Sequence, residues 1–301
     1  MNALVHNEPR ARMEPRARMV TLPARGGAMA ALEFGPTDRP VDIVFSHANG
    51  FNARTYRTIL EPLATDLRIL ALDLRGHGAS TLSTVIEGRE GWAQFREDLL
   101  ALLGAATDGP VILAGHSMGG TSSLLAAAAQ PGRVKALALF DPVIFGMGTA
   151  TPDPENNPLA QGADRRRATF PDKVAALTAY TGRGGFRTWS PEQLADYVEA
   201  GFRVTPEGEA TLTCTPAWEA SNFRTHNYDA FAAFRATRCP IRILRAEHGS
   251  TARLEPIQDE LLATGRVTIE TIPGASHFLP MERPELVRAT LRELARPGSE
   301  P

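Results

Sequence analysis

Between residues 41 and 141, short apolar runs alternate with longer stretches whose apolar positions recur at helical spacing. Val41 to Ser46 (VDIVFS), Leu67 to Leu72 (LRILAL), Val111 to Ala114 (VILA) and Val134 to Phe140 (VKALALF) are short, apolar and bounded by Gly, Pro or Asp. Such runs predict buried strands. Trp92, Phe95, Leu99, Leu102 and Leu103 form one apolar stripe, which predicts an amphipathic helix. Ser122 to Gln130 is an Ala/Leu run of high helix propensity, stopped by Pro131 and Gly132. Strands alternating with helices predict an α/β fold with a doubly wound, mostly parallel sheet. The rhythm resumes with a strand at Ile241–Ala246, a helix over Glu255–Thr264 and a strand at Val267–Ile272. A last helix carries Leu286, Val287, Thr290, Leu291 and Leu294 on one face. Upstream, Met19–Thr21 and Met29–Phe34 read as a lead-in antiparallel hairpin.

Residues 142–239 break this pattern. They hold a Pro-rich stretch (TPDPENNP), an Arg triplet at 165–167, and helix-like pieces around Pro171–Tyr180 and Pro191–Gly201, with no clean strand alternation. A structureless loop of ~90 residues is improbable inside a compact domain, so the segment is expected to be an inserted helical cap. The expected organisation is a core domain of residues 19–141 and 240–301, the cap at 142–239, and an N-terminal arm at 1–18. The cap's aromatics, Phe145, Phe170, Tyr180, Phe186, Trp189, Tyr197, Phe202 and Trp218, suffice to roof an apolar pocket.

The arm repeats EPRARM at 8–13 and 14–19 and has almost no apolar residues, so it is expected to be disordered, with Met13 or Met19 a candidate true start. It lacks the apolar run of a signal peptide, and no stretch approaches a membrane span. A formal net charge of −2 gives no field that would draw the chain to nucleic acid or an anionic membrane. The two cysteines, Cys214 and Cys239, lack CxxC spacing and read as reduced thiols of a cytoplasmic protein.

The chemistry concentrates at VILAGHSMGG, residues 111–120. Gly115-His116-Ser117-Met118-Gly119 fits G-x-S-x-G between a predicted strand and a predicted helix, the context of a nucleophile elbow. There Ser117 occupies a strained turn with its hydroxyl free, and Gly115 and Gly119 avoid collisions that any Cβ would make. Serine needs an adjacent base. Among seven histidines, His277 in IPGASHFLPMERPE follows the last predicted strand, where a loop hangs over the sheet's C-terminal edge. His116 is expected to point sideways into packing, and His226 belongs to the cap. Two N–H groups must hold an oxyanion. Met118 follows the nucleophile, and Asn49 lies in SHANGF (46–51), the loop after the first core strand.

GHSMGG (115–120), SHANGF (46–51), DLRGHGAS (73–80) and GASHFLPMERPE (274–285) resemble the α/β-hydrolase superfamily, closest to its capped serine esterase, lipase and C–C hydrolase branch. The likeness runs from about Met19 to Leu294 and implies the α/β-hydrolase fold. DLRGHGAS is similar to a segment that the family uses structurally, so Asp73, Arg75 and His77 receive no catalytic role. SHANGF departs from the family's His-Gly-x loop in carrying Ala48. The chain also departs where relatives carry the catalytic Asp, since RAEHGST puts Gly249 and Ser250 there. Asp141, ending the strand after the nucleophile's helix, and Glu247, on the usual loop, are the two candidates. Asp141 is favoured, and Pro142 biases it toward an extended conformation.

The resulting expectation is a serine hydrolase cleaving carboxylic esters of a small or medium apolar substrate through an acyl-enzyme. Ser117 attacks, His277 relays the proton, Asp141 orients His277, and Asn49 and Met118 form the oxyanion hole. No cofactor and no metal are expected, and the partner is a small ester-like molecule. Lactonase, thioesterase or C–C hydrolase activity is the alternative on the same triad. An Asp nucleophile for epoxides or haloalkanes is disfavoured by Ser117. A non-hydrolytic ligand-binding protein on a hydrolase scaffold is the alternative of another class.

Overall fold

The computed structural model describes residues 14–89, 91–145, 156–225 and 227–296. The chain opens with a hairpin, β1 (Arg16–Leu22) against β2 (Gly27–Phe34), in which Arg16 faces Glu33 and Leu22 faces Gly27. The arm expected at 1–18 therefore ends earlier: Arg16, Ala17 and Arg18 are strand, while residues 1–13 lie outside the described residues. An edge strand draws its stability from main-chain pairing with one neighbour, so an Arg-rich sequence suffices, and charged side chains also discourage edge-to-edge association. Arg16 and Arg18 both approach Glu33, at 3.8 and 3.7 Å.

The core continues through β3 (Ile43–Ser46), α1 (Arg57–Leu60), β4 (Ile69–Leu72), α2 (Ala93–Ala106), β5 (Val111–His116), α3 (Met118–Ala129) and β6 (Val134–Phe140). Between β6 and the next core strand lie α4 (Pro158–Asp164), β7 (Thr169–Phe170), α5 (Lys173–Tyr180), α6 (Pro191–Gly201), β8 (Phe202–Val204), β9 (Ala210–Leu212), α7 (Pro216–Arg224) and α8 (Ala230–Ala236). The chain then completes the core with β10 (Ile241–His248), α9 (Gln258–Ala263), β11 (Val267–Ser276), α10 (Leu279–Glu282) and α11 (Pro284–Ala295).

The eight-stranded sheet has the order β1-β2-β4-β3-β5-β6-β10-β11, antiparallel at β1-β2-β4 and parallel from β4 to β11. From β3 the chain moves outward to β4 on one side and then returns to β5 on the other. Open sheets bind ligands at such a reversal, beyond the strands' C-terminal ends. β3 and β5 stand in register there, Ser46 opposite Gly115, so the segments that follow both strands emerge side by side. Every residue of β3, β4 and β5 is buried, as a central strand covered on both faces requires.

The segment after β6 differs from the helical cap of the sequence reading in two ways. It contains a three-stranded antiparallel sheet, β7-β9-β8, whose strands are two or three residues long, too short to show alternation. Its end also comes sooner than residue 239. Ala230, Ala233 and Phe234 of α8 are buried in the same core as Leu124 and Leu125 of α3, so α8 belongs to the layer covering the sheet. Ion pairs fasten the insertion to the core: buried Arg57 of α1 meets buried Asp196 and the more exposed Glu192 of α6, each at 2.9 Å.

Candidate active site

Ser117 stands between β5 and α3 at φ 53°, ψ −120°, a conformation sparsely populated by L-residues. The flanking glycines show what the turn demands. A Cβ on Gly115 would lie 2.4 Å from the carbonyl carbon of Gly119, and one on Gly119 would lie 2.2 Å from the carbonyl oxygen of Ser46. The elbow therefore packs directly on the end of β3. The Ser117 N–H donates to the Phe140 carbonyl of β6 at 3.0 Å, which anchors the strained residue from the other side.

His277 follows β11, and its Nε2 lies 3.0 Å from Ser117 Oγ. Its Nδ1 lies 2.5 Å from Asp141 Oδ2. Asp141 is fully buried just beyond β6. Its Oδ1 accepts from the Ala246 N–H at 2.8 Å and the Ser250 hydroxyl at 2.6 Å, and its Oδ2 accepts from the Thr251 N–H at 3.1 Å. Burial alone would raise the Asp141 pKa. The hydrogen bond and charge of His277, with the bonds from Ser250 and Ala246, outweigh it and hold the carboxyl below its ordinary value. Asp141 is left-handed at φ 41°, not extended as its Pro142 neighbour suggests. The bonds converging on its carboxylate over-determine the local backbone and override the local preference.

Glu247, the other candidate acid, is half exposed and accepts from the Gly274 N–H at 2.8 Å beside His248, so its carboxylate is engaged away from His277. Ser250 and Thr251 occupy the loop where an acid was expected and instead hold Asp141. Sequence reasoning missed this role, although an acid absent there beside an Asp at the end of β6 was a usable signal.

The loop after β3 is held by neighbours that engage its polar groups. The Ala48 N–H donates to Tyr56 Oη at 3.2 Å and the Gly50 N–H to His77 Nε2 at 3.0 Å. The Asn49 side chain donates to the Glu219 carbonyl at 3.0 Å and accepts from Asn222 Nδ2 at 2.7 Å, both on α7. Among the described residues, no acceptor meets the main-chain N–H of Asn49 or of Met118, the pair expected to hold an oxyanion. Met118 begins α3, whose first N–H groups point out of the helix with its partial positive charge.

Three histidines beside the site are scaffold. His47 accepts from the Leu74 N–H at 2.9 Å, and its Nδ1 meets the Ala48 carbonyl at 2.7 Å. Burial, then the nearby His77, lowers its pKa well below the ordinary value. His77 is lowered to about 4 and His116 to about 3, each chiefly by burial. Asp73 accepts from the Ala53 and Ala79 N–H groups at 2.8 and 2.9 Å, and burial pushes its carboxyl up to about 6. Arg75 forks onto Asp98 at 2.7 and 2.6 Å. Asp73, Arg75 and His77 thus brace the loops around the site.

Aromatic rings line the space beside the elbow. Phe51, next to the Asn49 loop, stacks on Phe278 with centroids 6.2 Å apart and meets Trp189 edge-on at 5.2 Å and Tyr197 at 5.7 Å. Phe186 meets Trp189 and Tyr197 at 5.0 and 5.1 Å. Of the other expected cap aromatics, Phe170 and Phe202 pack with Tyr180 within the insertion, and Trp218 is buried on α7 with its Nε1 donating to the Arg75 carbonyl. His226 lies outside the described residues.

An open, mostly parallel sheet with a serine on a strained strand-to-helix turn at its switch point defines an α/β hydrolase. A family model described as the alpha/beta hydrolase family matches residues 43–290, and the chain belongs to that family. It is 25% identical over 248 residues to the 2-(acetamidomethylene)succinate hydrolase of Mesorhizobium japonicum, covering 81% of this chain and 84% of that protein. It is 31% identical over 257 residues to the mouse (Mus musculus) sn-1-specific diacylglycerol lipase ABHD11, covering 81% of this chain and 77% of that protein. A crystal structure of E-2-(acetamidomethylene)succinate hydrolase shares the fold with TM-score 0.75 at 21% identity, over 93% of this chain and 98% of the other. Among the described residues no helix is long and apolar enough to cross a membrane.

Proposed function

We propose that this protein is a serine hydrolase that cleaves carboxylic esters of a small or medium substrate through an acyl-enzyme. One observation carries the reading: Ser117 Oγ, the His277 ring and the Asp141 carboxylate form a continuous chain with links of 3.0 and 2.5 Å. Ser117 attacks the acyl carbon and passes its proton to His277 Nε2. Asp141 holds the proton on His277 Nδ1, which leaves Nε2 free to accept, and stabilises the imidazolium that forms. The N–H groups of Asn49 and Met118 receive the developing oxyanion. His277 then protonates the leaving group, and water repeats the sequence to release the acid. No step calls on a metal or a cofactor.

The mouse relative named as a lipase supports ester chemistry. The bacterial relative named as a succinate-derivative hydrolase favours a second reading, in which the same centre opens another acyl bond of a carboxylate-bearing substrate. A p-nitrophenyl ester chain-length series beside lactone and thioester panels separates the two readings. Fluorophosphonate labelling tests the shared step, because folded protein that leaves Ser117 unlabelled would be a ligand-binding protein on this scaffold.

A further inference from the structure

The buried arginines Arg57, Arg75 and Arg288 each meet a carboxylate, as does the partly buried Arg166. Arg89 does not. It precedes α2 and packs under α7, with its guanidinium carbon 4.1 Å from the Trp218 ring centroid and 5.3 Å from that of Phe95. Its Nη1 donates to Ser221 Oγ at 2.7 Å. Nε and Nη2 are buried, and among the described residues no acceptor meets either of them. Among the described residues, the charge that acts on Arg89 besides burial is that of Arg75, which has the same sign. A guanidinium edge buried without a counter-ion among the described residues is unfavourable, so this position is built for an anion.

The geometry selects the kind of anion. Nε–H and the adjacent Nη2–H share one edge of the guanidinium plane, the edge that forks onto the two oxygens of a carboxylate. A single unpaired positive charge matches a monoanion, whereas a phosphate dianion would require a second cation, and Asp98 already engages Arg75 at 2.6 Å. The surroundings lead to the candidate active site. Asn222, next after Ser221 on α7, donates to Asn49 Oδ1 at 2.7 Å, and its own Oδ1 is buried with no donor among the described residues. On the other side Ser83 to Gly88 are exposed, and Gly88 and Gly91, at φ 71° and 85°, bracket Arg89.

We propose that Arg89 is the receptor for a carboxylate carried by the substrate, presenting its Nε–Nη2 edge as a two-pronged fork beside the oxyanion loop. The proposal rests on the serine hydrolase reading and deepens it: the substrate is an acyl compound with an anionic end. The test compares mono-p-nitrophenyl glutarate with p-nitrophenyl butyrate in wild type, Arg89→Met and Arg89→Lys. Arg89→Met is expected to lower the ratio of kcat/KM for the carboxylated over the neutral ester at least tenfold, mainly through KM. Arg89→Lys, which keeps the charge without the fork, recovers only part of it. A ratio within twofold of wild type in Arg89→Met overturns the proposal. Should Arg89→Met fail to fold, calorimetric titration of the Ser117→Ala protein with glutarate and with inorganic phosphate decides. Glutarate binding in preference to phosphate is expected, and no glutarate binding, or tighter phosphate binding, overturns the carboxylate assignment. Fluorophosphonate labelling of the wild type keeps the two readings apart. An unlabelled Ser117 with no turnover of either ester sinks the hydrolase reading, while the titration still tests Arg89.

Discussion

His116 Nε2 donates a 2.7 Å hydrogen bond to the backbone carbonyl of His277, the residue whose ring meets Ser117. On its other side His116 Nδ1 accepts from the Tyr56 hydroxyl at 2.8 Å, and that oxygen accepts the Ala48 N–H. The loop carrying the candidate base and the loop carrying Asn49 are thus joined through one buried imidazole and one phenol. The relay needs a neutral His116 with its proton on Nε2. Burial, with the nearby His277, secures this by holding its pKa down to about 3. Tyr56→Phe removes the middle link and leaves the Ala48 N–H and His116 Nδ1 without partners. The expected loss is ~1–3 kcal/mol in urea unfolding, the cost of orphaning buried polar groups. Misplacing the base and the oxyanion donor is expected to lower kcat roughly tenfold with little change in KM, equivalent to ~1.4 kcal/mol in the barrier. An unchanged kcat would make the relay purely structural.

The central strands were legible because parallel strands buried on both faces leave uninterrupted apolar runs, and β3 to β6 fall within or close to the expected spans. Ser117 and His277 were legible through local context, the strand-to-helix glycine turn and the loop after the last strand. The environment of Asp141 was not, because its partners Ala246, Ser250 and Thr251 lie more than a hundred positions downstream and meet it only through the pairing of β6 with β10. Nor could periodicity reveal β7 to β9, which are shorter than two full alternations, or the strand pairing of Arg16 and Arg18, which depends on main-chain bonds.

Ser117→Ala is expected to remove essentially all hydrolysis, about 10⁶-fold in kcat, with the fold retained. His277→Ala should match it closely, because the two side chains act as one unit and their losses do not add. Steady-state kinetics on a p-nitrophenyl ester, with circular dichroism as the control for folding, provide the check. Retention of a tenth of wild-type kcat by either variant would contradict the assignment.

Acid should destabilise this protein well before its ordinary carboxylates protonate. The folded pKa values of His77 and His116 are about 4 and about 3, below the ~6.5 of an unfolded histidine, so the unfolded chain binds more protons in that interval. Their stabilising contribution is fully present above about pH 6.5 and is lost as pH falls, by ~3–5 kcal/mol for each residue at ~1.4 kcal/mol per pKa unit. His47, also lowered, acts in the same direction. Asp73 opposes them, because its folded pKa of about 6 lies above the unfolded value and favours the folded state as pH falls from 6 toward 4. One carboxyl offsets about one histidine, so the net slope is a loss. Urea midpoints measured from about pH 8 to about pH 4.5 should decline steeply below about 6.5. A flat profile would mean that these imidazoles are not buried as described.

Asp141 and Glu247 make opposite predictions, which a paired substitution resolves. If Asp141 orients His277, Asp141→Asn leaves the imidazole in the wrong tautomer and cuts kcat by roughly 10⁴-fold. Glu247→Gln, whose contact is the Gly274 N–H at 2.8 Å, should stay within a few-fold of wild type. Ser250→Ala supplies the finer test. The Ser250 hydroxyl donates to Asp141 Oδ1 at 2.6 Å, one of the bonds that keep this buried carboxyl ionised against the effect of burial. Its loss raises the Asp141 pKa toward the ordinary value and makes the carboxylate a stronger partner for the imidazolium, so the acid limb of the kcat–pH profile, which belongs to the Asp141–His277 pair, is expected to move upward. The Ala246 and Thr251 N–H groups still hold the side chain, so kcat at neutral pH should fall far less than in Asp141→Asn. Collapse of kcat in Glu247→Gln with Asp141→Asn near wild type would transfer the role to Glu247. An acid limb that stays fixed in Ser250→Ala would show that the Ala246 and Thr251 N–H groups and His277 suffice to keep Asp141 charged.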